Sequence, residues 1–174
     1  MLLNYAAGKL GVQYDDGGRL ARSGKLDNQI LHRINALEYY HTPPPKTLGY
    51  EWVEDNILTQ IEEVKVDYQS LLTTFTEHIS QQLASAVNSL ANQNDAILIT
   101  GGGAFNSYLI ERLTSLVDDN ISITLPDDVI ISFKEAIIFA FLGVLRFRNE
   151  INCLASVTGA SKDSSTGILH RTIS

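Results

Sequence analysis

The chain reads as a helix-rich α/β protein with a reduced sheet, and three observations predict that class. Residues 68–90 and 132–147 carry apolar side chains at the spacing of long one-faced helices. Only two clear strand-like runs occur, 96–99 and 121–125, with a candidate closing strand at 168–173. Between them lies the most informative stretch. The apolar run 96–99 ends in Gly101, Gly102 and Gly103, and an amphipathic run, 105–116, follows at once. That order spells a buried strand, a bare-backbone turn and a helix start.

Taken in order, residues 2–10 predict a short helix ended by Gly8 or Gly11, and residues 15–18 (Asp-Asp-Gly-Gly) a turn. Residues 23–27 form a second break. Asp27 there can cap a helix whose apolar positions are Ile30, Leu31, Ile34 and Leu37. Three prolines, 43–45, predict an extended segment, and 51–61 a helix. Asp67 starts the longest helix, with Tyr68, Leu71, Leu72, Phe75, Ile79, Leu83, Ala86, Val87 and Leu90 as its core stripe. The polar cluster 92–95 ends it, and Pro126 stops the strand 121–125. Ser132 is expected to open the second long helix as a Ser-x-x-Glu capping box with Glu135, and 156–167 to form a loop.

Composition narrows the function. The chain has 174 residues, enough for one domain with a real core, and its 44% hydrophobic and 19% charged content is that of a globular protein. Its net charge of −7 offers no basic footprint for nucleic acid. A single cysteine, Cys153, excludes an intrachain disulfide and a cysteine-based zinc site. His32, His41, His78 and His170 show no metal spacing, so no metal ligand is expected on this chain. The longest strongly apolar run, 136–145, is too short to span a bilayer. The first residues lack the pattern of a signal peptide, and a cytoplasmic location is the expectation.

The glycine triplet is the leading candidate site. Glycine lets a backbone take positive φ and lets a ligand approach without meeting a Cβ, and the helix behind it offers free N–H groups. Asn106 can contribute to such a site or simply cap the helix. Lys46 follows the proline run, where a rigid loop could present it to a substrate or phosphate.

Four ordered segments resemble the C-terminal half of the anhydro-N-acetylmuramic acid kinases. They are residues 2–27, with Tyr-Asp-Asp-Gly-Gly and Ala-Arg-Ser-Gly-Lys-Leu-Asp; 39–49, with Pro-Pro-Pro-Lys-Thr; 100–106; and 134–160, with Lys-Glu-Ala and Ser-Val-Thr-Gly-Ala. The resemblance implies part of an RNase H-like lobe, of the sugar kinase, Hsp70 and actin superfamily. It also implies an enzyme that uses ATP and Mg2+, hydrolyses the 1,6-anhydro ring of its amino sugar and phosphorylates O6, an intermediate step of cell-wall recycling. On the same ground Gly101, Gly102, Gly103, Asn106, Thr158 and Gly159 are expected on the nucleotide, and Glu135 and Lys46 on the sugar.

The family's Asp-x-Gly-Pro-Gly-Asn segment, with its expected catalytic aspartate, would lie ahead of Met1, and so would the first lobe. The expectation is one domain, 1–174, forming the C-terminal lobe of a two-lobe kinase and inactive by itself. Ser132 departs from the acidic residue many relatives carry. The rival expectations are a non-catalytic interaction module, or a half-enzyme that needs a complementary chain or a second copy, and another sugar kinase of the superfamily, such as an N-acetylglucosamine kinase.

Overall fold

A computed structural model describes residues 1–43, 46–62 and 66–170 and divides the chain into two compact units, 1–126 and 127–174. It is helix-rich, with one small parallel sheet, as the sequence predicts. The expected rigidity of the proline run falls partly on Pro44 and Pro45, outside the described residues.

The first unit is built on α7 (Tyr68–Leu90), against which α1 (Leu2–Lys9), α2 (Arg19–Ser23), α3 (Asn28–Asn35) and α8 (Ser107–Thr114) all pack. Local chemistry sets the ends of these helices. The Gly11 N–H reaches Gly8 O and the Val12 N–H reaches Ala7 O, a Schellman closure of α1 that needs the positive φ of 80° at Gly11. Asp27 accepts from the Gln29 and Ile30 N–H groups to start α3, and Asp67 does the same for α7 through Gln69 and Ser70. Between them, α4 (Glu38–His41) follows α3, and α5 (Tyr50–Val53) runs through a π turn, Glu54–Leu58, into α6 (Thr59–Glu62). Neither α2 nor α4 was legible as a helix, because each is a turn or so long and has no apolar period to read.

The main core gathers Leu2, Ala6, Ile34, Ile57, Leu72 and Phe75 with their neighbours. A smaller cluster joins Ala84 of α7 to Leu113, Val117 and Ile121. The predicted stripe of α7 holds at Leu71, Leu72 and Phe75 but fails at Leu83, Ala86 and Leu90, which are exposed. In the first half of the helix the neighbours close around its whole circumference, so Thr73, Thr74, Thr76, Glu77, His78 and Ser80 are buried too.

Strands β1 (Ala96–Leu98) and β2 (Ser122–Thr124) pair in parallel, with Ile97 opposite Ile123. The expectation of a buried strand is corrected here. Ala96 and Leu98 are exposed and only Ile97 is half-buried, because one neighbouring strand covers too little of β1.

In the second unit, α9 (Asp128–Phe147) begins four residues before the predicted start. Asp127 is its cap, accepting from the Ile130 N–H at 2.9 Å. Ser132 and Glu135 therefore lie inside the helix, and the expected capping box does not form. The predicted loop 156–167 is helical at its start, in α10 (Ala155–Thr158). Residues 168–170 form no strand, and the rest of that expectation lies outside the described residues. Asn152 ties the tail to α9, donating to Leu142 O at 3.2 Å and accepting from the Thr166 N–H at 2.7 Å.

Candidate functional site

Gly102, Gly103 and Asn106 line one cavity of about 670 Å3 in the first unit. Met1, Leu3 and Asn4 reach it from the start of α1, and Tyr14, Asp16 and Gly17 from the turn that precedes α2. Phe105 and Ile79 complete its apolar lining. The size is that of a small-ligand site.

The three glycines have different reasons to be glycine. Gly101 sits at φ 85°, where a side chain is strained. Gly102 has nothing within 4 Å of where a Cβ would stand, and a Cβ on Gly103 would meet only Leu109 Cδ2 at 3.8 Å. The fold therefore does not require bare backbone at Gly102 and Gly103. Both are exposed and both line the cavity, so their lack of side chains keeps its floor open to a ligand. Asn106 has a structural duty as well: its Oδ1 accepts from the Leu109 N–H at 3.0 Å and caps α8.

The sequence separates the Asp-Asp-Gly-Gly turn from the glycine triplet by more than eighty residues, and the structure joins them. Ser107 Oγ donates to Gly17 O at 2.9 Å. Gly18, at φ 72°, lies so close to Asn106 and to Tyr108 Cβ that any side chain there would collide with them. Asp15 is buried, and its two carboxylate oxygens accept from the Leu20 and Ala21 N–H groups at 2.9 Å each. Asp16 pairs with Arg19 at 2.6 Å. The two acids thus hold the turn, and the turn in turn supplies Tyr14 to the cavity. Consecutive glycines after paired acids were the only sequence signal of this close approach.

Lys46 is not among the residues that line the cavity. Its ammonium donates to Tyr39 O at 2.8 Å and stands 4.8 Å from the centre of the Tyr39 ring. That ring packs on Trp52, with centroids 5.0 Å apart. Glu135 is exposed on α9 in the second unit. Thr158 and Gly159, also in that unit, end α10: Thr158 Oγ1 donates to Leu154 O at 2.9 Å, and Gly159 takes φ 72°.

A polar relay in the first unit, centred on the buried Glu77 and His78, has no local signal in the sequence. Arg112 donates to Glu77 at 2.8 Å, and Gln81 donates to the same carboxylate at 2.8 Å. A carboxylate only accepts, and this fixes every later orientation. Gln81 Oε1 accepts from Asn35 at 2.7 Å, which leaves Asn35 Oδ1 to accept from His78 Nδ1 at 2.6 Å. The Tyr40 hydroxyl must then donate to His78 Nε2, at 3.0 Å. Burial alone would raise the Glu77 carboxyl, but the hydrogen bonds from Arg112 and Gln81 outweigh it and hold the group below its usual range. Burial lowers His78 to about 4 and, with help from the Tyr39 charge, raises Tyr40 to about 12. The relay is structural: it is closed at every member and none of these residues lines the cavity.

The acids that line the cavity among the described residues, Asp15 and Asp16, both hold partners. Among the described residues no group of three His, Cys, Asp or Glu side chains could hold a metal ion. No described helix is long and apolar enough to cross a membrane.

Comparison with known proteins gives a consistent result. Residues 1–172 match the family described as anhydro-N-acetylmuramic acid kinase. A protein of that name from Coxiella burnetii is 29% identical over 92% of this chain and 44% of its own length. One from Synechocystis is 33% identical over 90% of this chain and 43% of its own, and one from Variovorax paradoxus 33% over 86% and 41%. The chain thus spans less than half the length of the curated relatives it matches, and corresponds to their C-terminal part.

Proposed function

The chain belongs to the anhydro-N-acetylmuramic acid kinase family, and from that premise we propose that it is the nucleotide-holding, C-terminal lobe of an ATP-dependent sugar kinase. The observation that carries the reading is the bare floor at Gly102 and Gly103, which the fold leaves open without needing to. In this reading the lobe is RNase H-like, as in the actin superfamily. Gly101, Gly102, Gly103 and Asn106 hold the nucleotide, joined by Thr158 and Gly159. Glu135 and Lys46 address the amino sugar. For Lys46 that role requires release from Tyr39 O, which its exposure permits. The whole enzyme would work in the cytoplasm. It would open the 1,6-anhydro ring with water and transfer the γ-phosphoryl group to O6, giving N-acetylmuramic acid 6-phosphate.

Mg2+ would enter with the phosphates of the nucleotide. The described residues assemble no acidic set to hold it by themselves. The acids that line the cavity among the described residues, Asp15 and Asp16, both hold partners, which leaves neither as the base that must activate water. The isolated 174 residues are therefore expected to bind but not to turn over. A coupled ADP-release assay with the anhydro sugar checks this, and measurable turnover by the pure chain overturns it.

A second reading is favoured by α9. Val129, Phe133, Ile137, Phe139, Phe141 and Phe147 are all at least half exposed along it. Such a helix suits a half-enzyme that closes on a complementary chain carrying the family's other lobe. Light scattering tests it: a chain that stays monomeric at high concentration and ignores a separately made N-terminal half argues against it. A second copy of this chain as the occupant would show there as a dimer.

A further inference from the structure

We propose that Tyr14 and Phe105 are the two aromatic walls that clasp the base of the nucleotide above Gly102 and Gly103. The inference rests on the nucleotide reading given above and adds to it the side chains that hold the base.

Three observations support it. Tyr14 is 59% exposed and Phe105 47% exposed, and both line the cavity. Neither ring stacks on another aromatic among the described residues, although Tyr39, Tyr40, Trp52 and His78 cluster together elsewhere in the same unit. Two large rings held at a cavity that the protein does not fill are the arrangement a flat heterocycle completes, and every base has a face to offer them.

The second observation is charge. Among the described residues no lysine or arginine lines the cavity, whereas Asp15 and Asp16 do. Arg19 is drawn to Asp16 and away from a ligand's service. A polyphosphate would meet a carboxylate there and no cation, whereas a neutral nucleoside meets no such penalty. The third is placement. Tyr14 stands one residue before Asp15, whose carboxylate is locked onto the backbone of α2. Phe105 stands one residue before Asn106, which is locked onto α8. Both rings are thus mounted beside fixed points, and the Ser107–Gly17 hydrogen bond couples the two mounts. A backbone fixed beside each ring leaves less to order when a ligand arrives.

Isothermal titration of the full chain with adenosine, ATP and inorganic tripolyphosphate tests the proposal. Adenosine and ATP are expected to bind within about tenfold of each other, and tripolyphosphate not to compete. Tyr14→Ala and Phe105→Ala should each weaken adenosine about tenfold, while Tyr14→Phe, which keeps the ring, stays within about twofold. Gly102→Val should fill the floor and remove binding of both nucleoside and nucleotide. If Gly102→Val abolishes binding but the two alanine variants bind like the unmodified chain, the aromatic walls are wrong and the nucleotide reading stands. If Gly102→Val changes nothing, or the unmodified chain binds neither probe, the nucleotide reading falls and the walls with it. Competition by tripolyphosphate would overturn the assignment of the base to this cavity.

Discussion

The two long helices make an instructive pair. Helix α7 has 23 residues and α9 has 20, so each is roughly 30 Å long or slightly more. Helix α9 is the more apolar of the two, yet Ile131 is its only buried residue. Helix α7 carries threonines, a serine, a glutamate and a histidine, yet most of its first half is buried on every side. Apolar content therefore does not decide which helix is inside; the elements that pack around it do. Four other helices meet on α7, and their polar gaps are closed by a relay that leaves no buried side-chain nitrogen or oxygen unpaired among the described residues. Helix α9 has the composition of an interior helix with its apolar side chains in water.

The sharpest way to break this contrast is to cut the core. Phe75 is fully buried on α7. Phe75→Ala should cost about 4 kcal/mol, from the lost transfer energy and the cavity left behind. Urea unfolding followed by circular dichroism would read it as a large fall in midpoint with little change in slope. A loss below about 1 kcal/mol would mean that α7 is not the interior helix described here.

Next in size is the effect of pH on the relay. Folding buries His78 and lowers it to about 4, while the unfolded chain takes the proton near 6.5. The unfolded state thus binds more protons between these values. The stability is present in full above pH 6.5 and is lost as pH falls toward 4, by about 3 kcal/mol over the window. Comparing the unmodified chain with His78→Gln isolates this residue, because the difference in slope between them is its contribution. Equal slopes across the window would remove His78 from the interior.

Arg112→Met should have a smaller effect, about 2 kcal/mol, because Glu77 keeps the Gln81 hydrogen bond and the guanidinium is only partly buried. Its Glu77 carboxyl should also titrate higher, which carboxylate NMR would detect. An unshifted Glu77 would mean that the ion pair does not orient the relay.

Much of this was legible in the sequence where the signal is local. Asp27, Asp67 and Asn106 announced three helix starts, because a capping side chain acts within three residues of itself. The glycine triplet announced a turn between strand and helix. What was not legible depends on distant partners. The burial of Thr73 and His78 needed α1, α2 and α3 to be in place, and the meeting of Gly17 with Ser107 crosses ninety positions. The capping box at Ser132 and Glu135 failed for a third reason: a better cap, Asp127, stood five residues upstream and took the helix start first. The site divides in the same way. Gly102, Gly103 and Asn106 came from the motif, whereas Tyr14, Asn4 and Phe105 came only from the fold.

The smallest expected effect on stability is the most telling for the comparison. Phe139 is 70% exposed on α9. Phe139→Asp should change the unfolding free energy by no more than about 0.5 kcal/mol, against the several lost at Phe75. The same substitution should change association strongly, because a charge on an apolar helix face opposes any partner laid over it. Analytical ultracentrifugation of the chain alone and with a separately made N-terminal half of a relative reads both effects. Unchanged stability with lost association would identify α9 as an interface helix. A loss of several kcal/mol in the isolated chain would instead show that Phe139 already has neighbours within it, and would remove the contrast with α7 from which the second reading draws its support.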